Sequence, residues 1–144
     1  MIEEMTDVTE ETILAFQHLM PQLTTNTPIP SRELLAVMAA SADTFVFLAR
    51  DPEKDGEIVG SATLAIALSP TGRHGWIEDV VVDEDARGKG WGRMLTQACL
   101  DKAREIGLSQ VNLTSRPSRV AANELYRSMG FIQRETNVYR YNLD

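Results

Sequence analysis

Residues Gly75 to Gly92, GWIEDVVVDEDARGKGWG, limit the folds open to this chain more than any other stretch. Trp76 and Ile77, then Val80, Val81 and Val82, form an apolar, β-branched run suited to a strand buried on both faces. Glu78 and Asp79 nevertheless stand inside that run. Asp83, Glu84 and Asp85 end it with turn-favouring residues, and Arg87-Gly88-Lys89-Gly90-Trp91-Gly92 follows directly ahead of a helical pattern. Glycines on alternate positions let the backbone turn tightly with N–H groups converging outward, and a helix N-terminus behind them adds partial positive charge. The stretch reads as a cradle for an anion. Two common phosphate loops do not fit it. The nucleotide-hydrolase loop needs four residues between its glycines and then Gly-Lys-Ser/Thr, whereas Gly92 precedes Arg93 and Met94. The dinucleotide fingerprint is spaced G-x-G-x-x-G, against G-x-G-x-G here.

At 144 residues the chain suits a single domain, 1–144, with its own core. A formal net charge of -7 opposes nucleic-acid binding, which draws its affinity from Lys and Arg. Positive charge is concentrated at Arg87, Lys89 and Arg93, beside the glycines, where the local field should differ from the average. The one cysteine, Cys99, excludes an intramolecular disulfide and points to a reducing compartment. It falls on the apolar side of a helical pattern, which makes it a buried structural thiol rather than a nucleophile. No Cys or His cluster has metal-ligand spacing, so no metal is expected. The acidic start MIEEMTDVTEE is not a secretory signal, and no apolar run approaches the ~20 residues of a membrane span. The expected setting is cytoplasmic, with no membrane partner.

Periodicity and breakers predict a short strand over Ile2 to Met5 and a helix from Thr9 to Met20 stopped by Pro21. A second helix runs from the N-cap Ser31 to Ala40. Strands are expected at Thr44 to Ala49, Glu57 to Leu68 and Trp76 to Val82, as an antiparallel meander. A helix from Trp91 through Ile106 with its stop at Gly107, a strand at Ser109 to Thr114, a helix from Pro117 to Met129 and terminal strands at 131–133 and 138–141 complete the order. The result is an α/β class, an α+β mixed sheet with about four flanking helices. His18 is expected on a helix surface, Arg73 and His74 in an exposed turn or beside a ligand, and Asp101 and Glu105 on a solvated face.

Arg87-x-x-Gly90-x-Gly92 resembles the pyrophosphate loop of the GNAT superfamily of N-acetyltransferases, and A-x-x-x-Y-x-x-x-G-F from Ala122 to Phe131 resembles a second signature of that superfamily. The IEDVVV segment is also locally similar to glucosamine-phosphate N-acetyltransferases. The resemblance implies a GNAT fold, a mostly antiparallel sheet splayed between its fourth and fifth strands. It implies acetyl-CoA as co-substrate, its diphosphate on Arg87, Gly88, Lys89, Gly90, Trp91 and Gly92, and its pantetheine arm beside Val80, Val81 and Val82. Asn123 is a further cofactor contact by the same resemblance, although Arg119 stands where some relatives carry an Asn. The acceptor is then an amine of a small molecule, an antibiotic or a protein, attacking directly in a ternary complex. An alkyl ammonium with pKa ~10.4 must first lose a proton. Glu78, directly or through water, is the first candidate to receive it, and Asp79 the second, since a bulge would exchange their faces. Tyr126 fits the residue that returns a proton to the departing thiolate. A module that binds coenzyme A without turnover is the alternative, and the joint presence of Glu78 and Tyr126 favours the enzyme. Relatives often pair through their C-terminal strands, where Tyr139 and Tyr141 would suit a homodimer.

Overall fold

The computed structural model describes all residues from Met1 to Asp144, and they fall into two compact units, Met1–Thr114 and Ser115–Asp144. The first unit is built on a five-stranded sheet in the order β1-β2-β3-β4-β5. Its strands are β1 (Ile2–Glu4), β2 (Thr44–Asp51), β3 (Glu57–Ser69), β4 (Gly72–Val82) and β5 (Val111–Asn112). The first four are antiparallel neighbours, and β5 runs parallel to β4. Three helices cover this sheet, α1 (Glu10–Leu23), α2 (Arg32–Ala40) and α3 (Trp91–Glu105).

Alternation along the strands divides the core into two layers. Val46 and Leu48 of β2 join Met5, Phe16, Leu19, Leu35, Ile58 and Val81 in one cluster under α1 and α2. Phe45 and Phe47 point the other way, and Lys102 of α3 lies 5.0 Å above the Phe45 ring. The central strands are therefore buried on both sides, as their near-continuous apolar composition requires.

Helix starts follow their capping chemistry. Thr9 and Ser31 accept from the backbone N–H of Thr12 and Leu34, capping α1 and α2. Pro21 does not stop α1, contrary to expectation. It sits inside the last turn, and the helix runs two residues further to Leu23, where Thr24 N–H closes on Met20 O at 3.0 Å. A proline there removes a single N–H near a fraying end, and the preceding turns of core-facing residues hold the helix.

The second unit contains α4 (Val120–Ser128), ended at Met129 with Gly130 at a φ of +99°. Phe131 N–H donates to Tyr126 O at 3.0 Å, and the two rings meet edge to face at 5.6 Å. The strands expected at 131–133 and 138–141 do not form: no regular structure follows α4, and Ile132, Tyr139, Tyr141 and Leu143 are each 87% exposed. The strand expected over Ser109 to Thr114 is also shorter, reduced to Val111–Asn112.

Candidate active site

Two irregularities of β4 shape the site. The first is a bulge. Ser61 pairs with Val81 and Thr63 with Glu78, so Asp79 and Val80 together oppose the single residue Ala62. Asp79 takes the left-handed conformation, φ +52°, one of two non-glycine residues to do so. Aspartate tolerates this region better than most L-residues, and a β-branched side chain would be strained there. An uninterrupted strand would turn Glu78 and Val81 to opposite faces; the extra residue puts both on the α1/α2 face, beside Thr63 and Ser61. Val80 and Val82, half buried, turn to the other side.

The second irregularity is the splay. Pairing of β4 with β5 is limited to Gly75 with Val111 and Trp76 with Asn112. From Ile77 to Val82, β4 continues with no neighbouring strand on that side, presenting one row of main-chain groups to whatever lies alongside.

Glu78 is exposed to solvent on one side, yet partial burial and the charge of adjacent Asp79 both raise its pKa above the usual carboxylate range. Both effects disfavour the anion and make Glu78 a stronger base when ionised.

At the far end of β4 the chain enters a single 3-10 turn, Glu84–Ala86, and then the glycine loop. Gly88 and Gly90 have φ of +81° and +87°, and a Cβ at either would meet nothing within 4 Å. Gly90 is the N-cap of α3, whose ladder begins with Met94 N–H on Gly90 O at 3.1 Å. The amides from Gly88 to Gly92 are left to partners outside the helix, at its positive end. That arrangement fits a diphosphate, which needs several N–H donors close together with no side chain in the way. Arg87 Nε donates to Val82 O at 3.2 Å, tying the loop back to its strand. Trp91, 7% exposed, packs at the head of α3, and its indole Nε1 is buried with no hydrogen-bond partner.

The loop's positive charge is partly met from within. Lys89 Nζ lies 3.6 Å from Asp51 Oδ2 and 3.8 Å from Glu53 Oε2, at the β2–β3 turn. This pairing is invisible to motif reading, because 38 positions separate Lys89 from Asp51 and 36 separate it from Glu53. His18 was also missed. It is not an idle surface residue, since Nε2 lies 3.0 Å from Asp83 Oδ2, immediately before the 3-10 turn. Arg73 and His74 lie in β4 rather than in a turn: His74 is occupied by Ser69 and Thr71 at 3.1 and 2.8 Å, across the β3–β4 turn, and Arg73 Nη1 donates to Ile106 O at 3.0 Å, at the C-terminal end of α3.

In the second unit, Tyr126 is 7% exposed. Asn123 Nδ2 donates to Arg116 O at 2.9 Å, bracing the approach to α4. Glu78, Asp79, Val80 to Val82 and Arg87 to Gly92 thus belong to one continuous strand and loop of the first unit, and Asn123 and Tyr126 to the helix of the second.

A model of the acetyltransferase (GNAT) family matches residues 12–131, and the chain belongs to that family. It is 30% identical over 123 residues to a probable glucosamine 6-phosphate N-acetyltransferase of Drosophila melanogaster, covering 81% of this chain and 54% of that protein. It is 43% identical over 61 residues to an uncharacterized N-acetyltransferase of Bacillus subtilis, covering 42% of this chain and 43% of that one. The chain thus spans about half the length of these curated relatives. A solved acetyltransferase of Trypanosoma brucei superposes with a TM-score of 0.73 at 31% identity, covering 99% of this chain and 100% of the other.

Proposed function

We propose that this protein transfers the acetyl group of acetyl-CoA to a primary amine of a small molecule or protein, by direct attack in a ternary complex. The observation that carries the reading is the continuity of bulge, unpaired β4 edge and left-handed glycine loop along one stretch of chain. The family model crosses the junction at Thr114, which supports treating residues 1–144 as one acetyltransferase domain.

Acetyl-CoA supplies an activated thioester when bound; the remaining work falls to the protein. The amides of Arg87 to Gly92 hold the diphosphate, each charge-assisted bond contributing ~1.5–3 kcal/mol. The open edge of β4 at Val80, Val81 and Val82 offers main-chain donors and acceptors to an extended, amide-containing arm, as a sheet edge does to an added strand. Glu78 takes a proton from the acceptor ammonium, directly or through water, and its raised pKa brings it closer to that task. Asp79 shapes the bulge and serves as the alternative base. Tyr126 provides a phenolic proton for the leaving sulfur, and Asn123 a further polar contact to the cofactor. The acceptor class is supported by the Drosophila relative, a probable N-acetyltransferase of glucosamine 6-phosphate, which is an amino sugar phosphate. A cytoplasmic setting suits the single buried thiol of Cys99. Self-association through 131–144 suits the exposed Tyr139 and Tyr141, and sedimentation at varied concentration tests it.

A screen of amines with acetyl-CoA, followed by free-thiol detection, tests the activity. Amine-dependent thiol release is expected, lost in Glu78→Gln and slowed in Tyr126→Phe with cofactor binding intact. No release with any amine class, from a protein that binds acetyl-CoA, would reject the transferase reading.

A further inference from the structure

The loop just assigned to the cofactor is approached through a cluster of side chains from α1. Asp83, 6% exposed, occupies the junction between β4 and the 3-10 turn. Its N–H donates to Val59 O at 2.8 Å, its carbonyl accepts from Ala86 N–H at 2.8 Å, and its Oδ1 accepts from Asp85 N–H at 3.2 Å. The other oxygen, Oδ2, faces His18 Nε2 at 3.0 Å. Gln22, one turn further along α1, accepts from Glu84 N–H through Oε1 at 2.9 Å, and its Nε2 reaches Asp83 Oδ1 at 3.4 Å and His18 O at 3.3 Å.

The direction of each bond follows from the charge of Asp83. Burial works against its ionisation, but hydrogen bonds from the Asp85 amide, His18 and Gln22 outweigh burial and hold its carboxyl below the usual range. An ionised carboxylate only accepts, so Nε2 of His18 carries the proton. The 3.4 Å approach of Gln22 Nε2 to His18 Nε2 then joins two donors and is a packing contact. The cluster is asymmetric in exposure: the His18 side chain is 61% exposed and that of Asp83 8%. It therefore adds little burial, and fixes where Asp83 and Glu84 sit.

We infer that His18 and Gln22 are positioning residues for the cofactor loop: α1 grips the 3-10 turn whose next residues are Arg87 to Gly92, and so sets the aim of the loop amides. Beside the main-chain bond of Asp83 N–H to Val59 O and the burial of Ala86, the side-chain bonds that reach this turn from another element come from α1. Within the loop, Arg87 returns only to its own strand, Lys89 reaches Asp51 and Glu53 through the end of its side chain, and the αL glycines have open space around them. Released from α1, the turn would keep its internal cap from Asp83 but lose its anchor across the sheet face. The grip rests on the loop being the site of the diphosphate, and the test separates the two claims.

Calorimetric titration with coenzyme A is run on the wild type, His18→Ala/Gln22→Ala, and His18→Gln, alongside amide hydrogen exchange over 84–92. Wild-type binding is the first expected result; its absence overturns the loop assignment and the grip with it. The double variant should bind about tenfold more weakly, the equivalent of one net hydrogen bond, with faster exchange at 84–92 and unchanged exchange in β3. In turnover its KM for acetyl-CoA should rise while kcat at saturation holds. His18→Gln, which keeps a donor at the Nε2 position, should recover most of the affinity. Wild-type affinity and unchanged exchange at 84–92 in the double variant would overturn the inference, as would a loss confined to kcat.

Discussion

Gly90→Ala isolates the left-handed loop geometry from every other source of stability. At φ +87° an L-residue is strained by ~1–2 kcal/mol, and with no atom within 4 Å of the new Cβ that strain is the whole folded-state penalty. Reduced freedom of the unfolded chain returns ~0.4–1 kcal/mol, leaving a net loss of ~1 kcal/mol and a fall in Tm of ~2–4 °C for a domain of this size. The loop is exposed, and its ties through Arg87 to Val82 O and through the Lys89 side chain to Asp51 and Glu53 leave the Gly90 backbone itself unheld, so it should relax out of αL rather than carry the strain. Relaxation turns the amides away from a shared target. Losing one charge-assisted bond, ~1.5–3 kcal/mol, weakens acetyl-CoA binding about ten- to a hundredfold. Gly107→Ala is the matched control. It lies at the other end of α3 with φ +83° and the same open space, so its melting loss should be similar and its cofactor affinity unchanged. Differential scanning calorimetry and isothermal titration read the two quantities separately. Equal acetyl-CoA affinity in the two variants, at equally lowered Tm, would refute the claim that the αL loop holds the diphosphate.

Glu78→Gln should raise Tm at neutral pH while abolishing amine acetylation. The folded protein binds the Glu78 proton more readily than the unfolded chain does, so this group's contribution is fully present below the ordinary carboxylate pKa and is lost as pH rises through the raised folded value. Removing the charge removes that penalty, and a Tm difference that shrinks toward acid pH is the sign to look for; a variant less stable at pH 7 than at pH 4, relative to wild type, contradicts it. The acid limb of wild-type kcat/KM should lie above the usual glutamate range for the same reason. Cys99, buried and with its pKa pushed up to about 12, leaves on the order of one thiolate in a hundred thousand at pH 7. Native protein should therefore resist iodoacetamide until it unfolds, which mass spectrometry follows directly; rapid labelling of folded protein would place the thiol outside the core.

What the sequence revealed and what it hid divide by the range of the interactions concerned. The glycine loop is local chemistry: alternate glycines, a strand before and a helix after are all contiguous in Arg87 to Gly92 and its flanks. The bulge was half legible, because two acids in a valine run signal a conflict that a strand resolves by an extra residue, yet only the pairing of Ser61 with Val81 and Thr63 with Glu78 decides that Asp79 takes the αL position. The terminal strands failed for the complementary reason. Tyr139, Tyr141 and Leu143 have a strand's period of two, but a strand exists only where another edge pairs with it. Contacts between distant residues left no sequence trace at all. His18 meets Asp83 across 65 positions and Gln22 meets Glu84 across 62, linking an ordinary amphipathic helix to the loop that motif reading isolates. A motif therefore names the groups that touch a diphosphate, while the aim of those groups is set by residues whose types, one histidine and one glutamine on a helix surface, are informative only once the sheet has brought them to the turn.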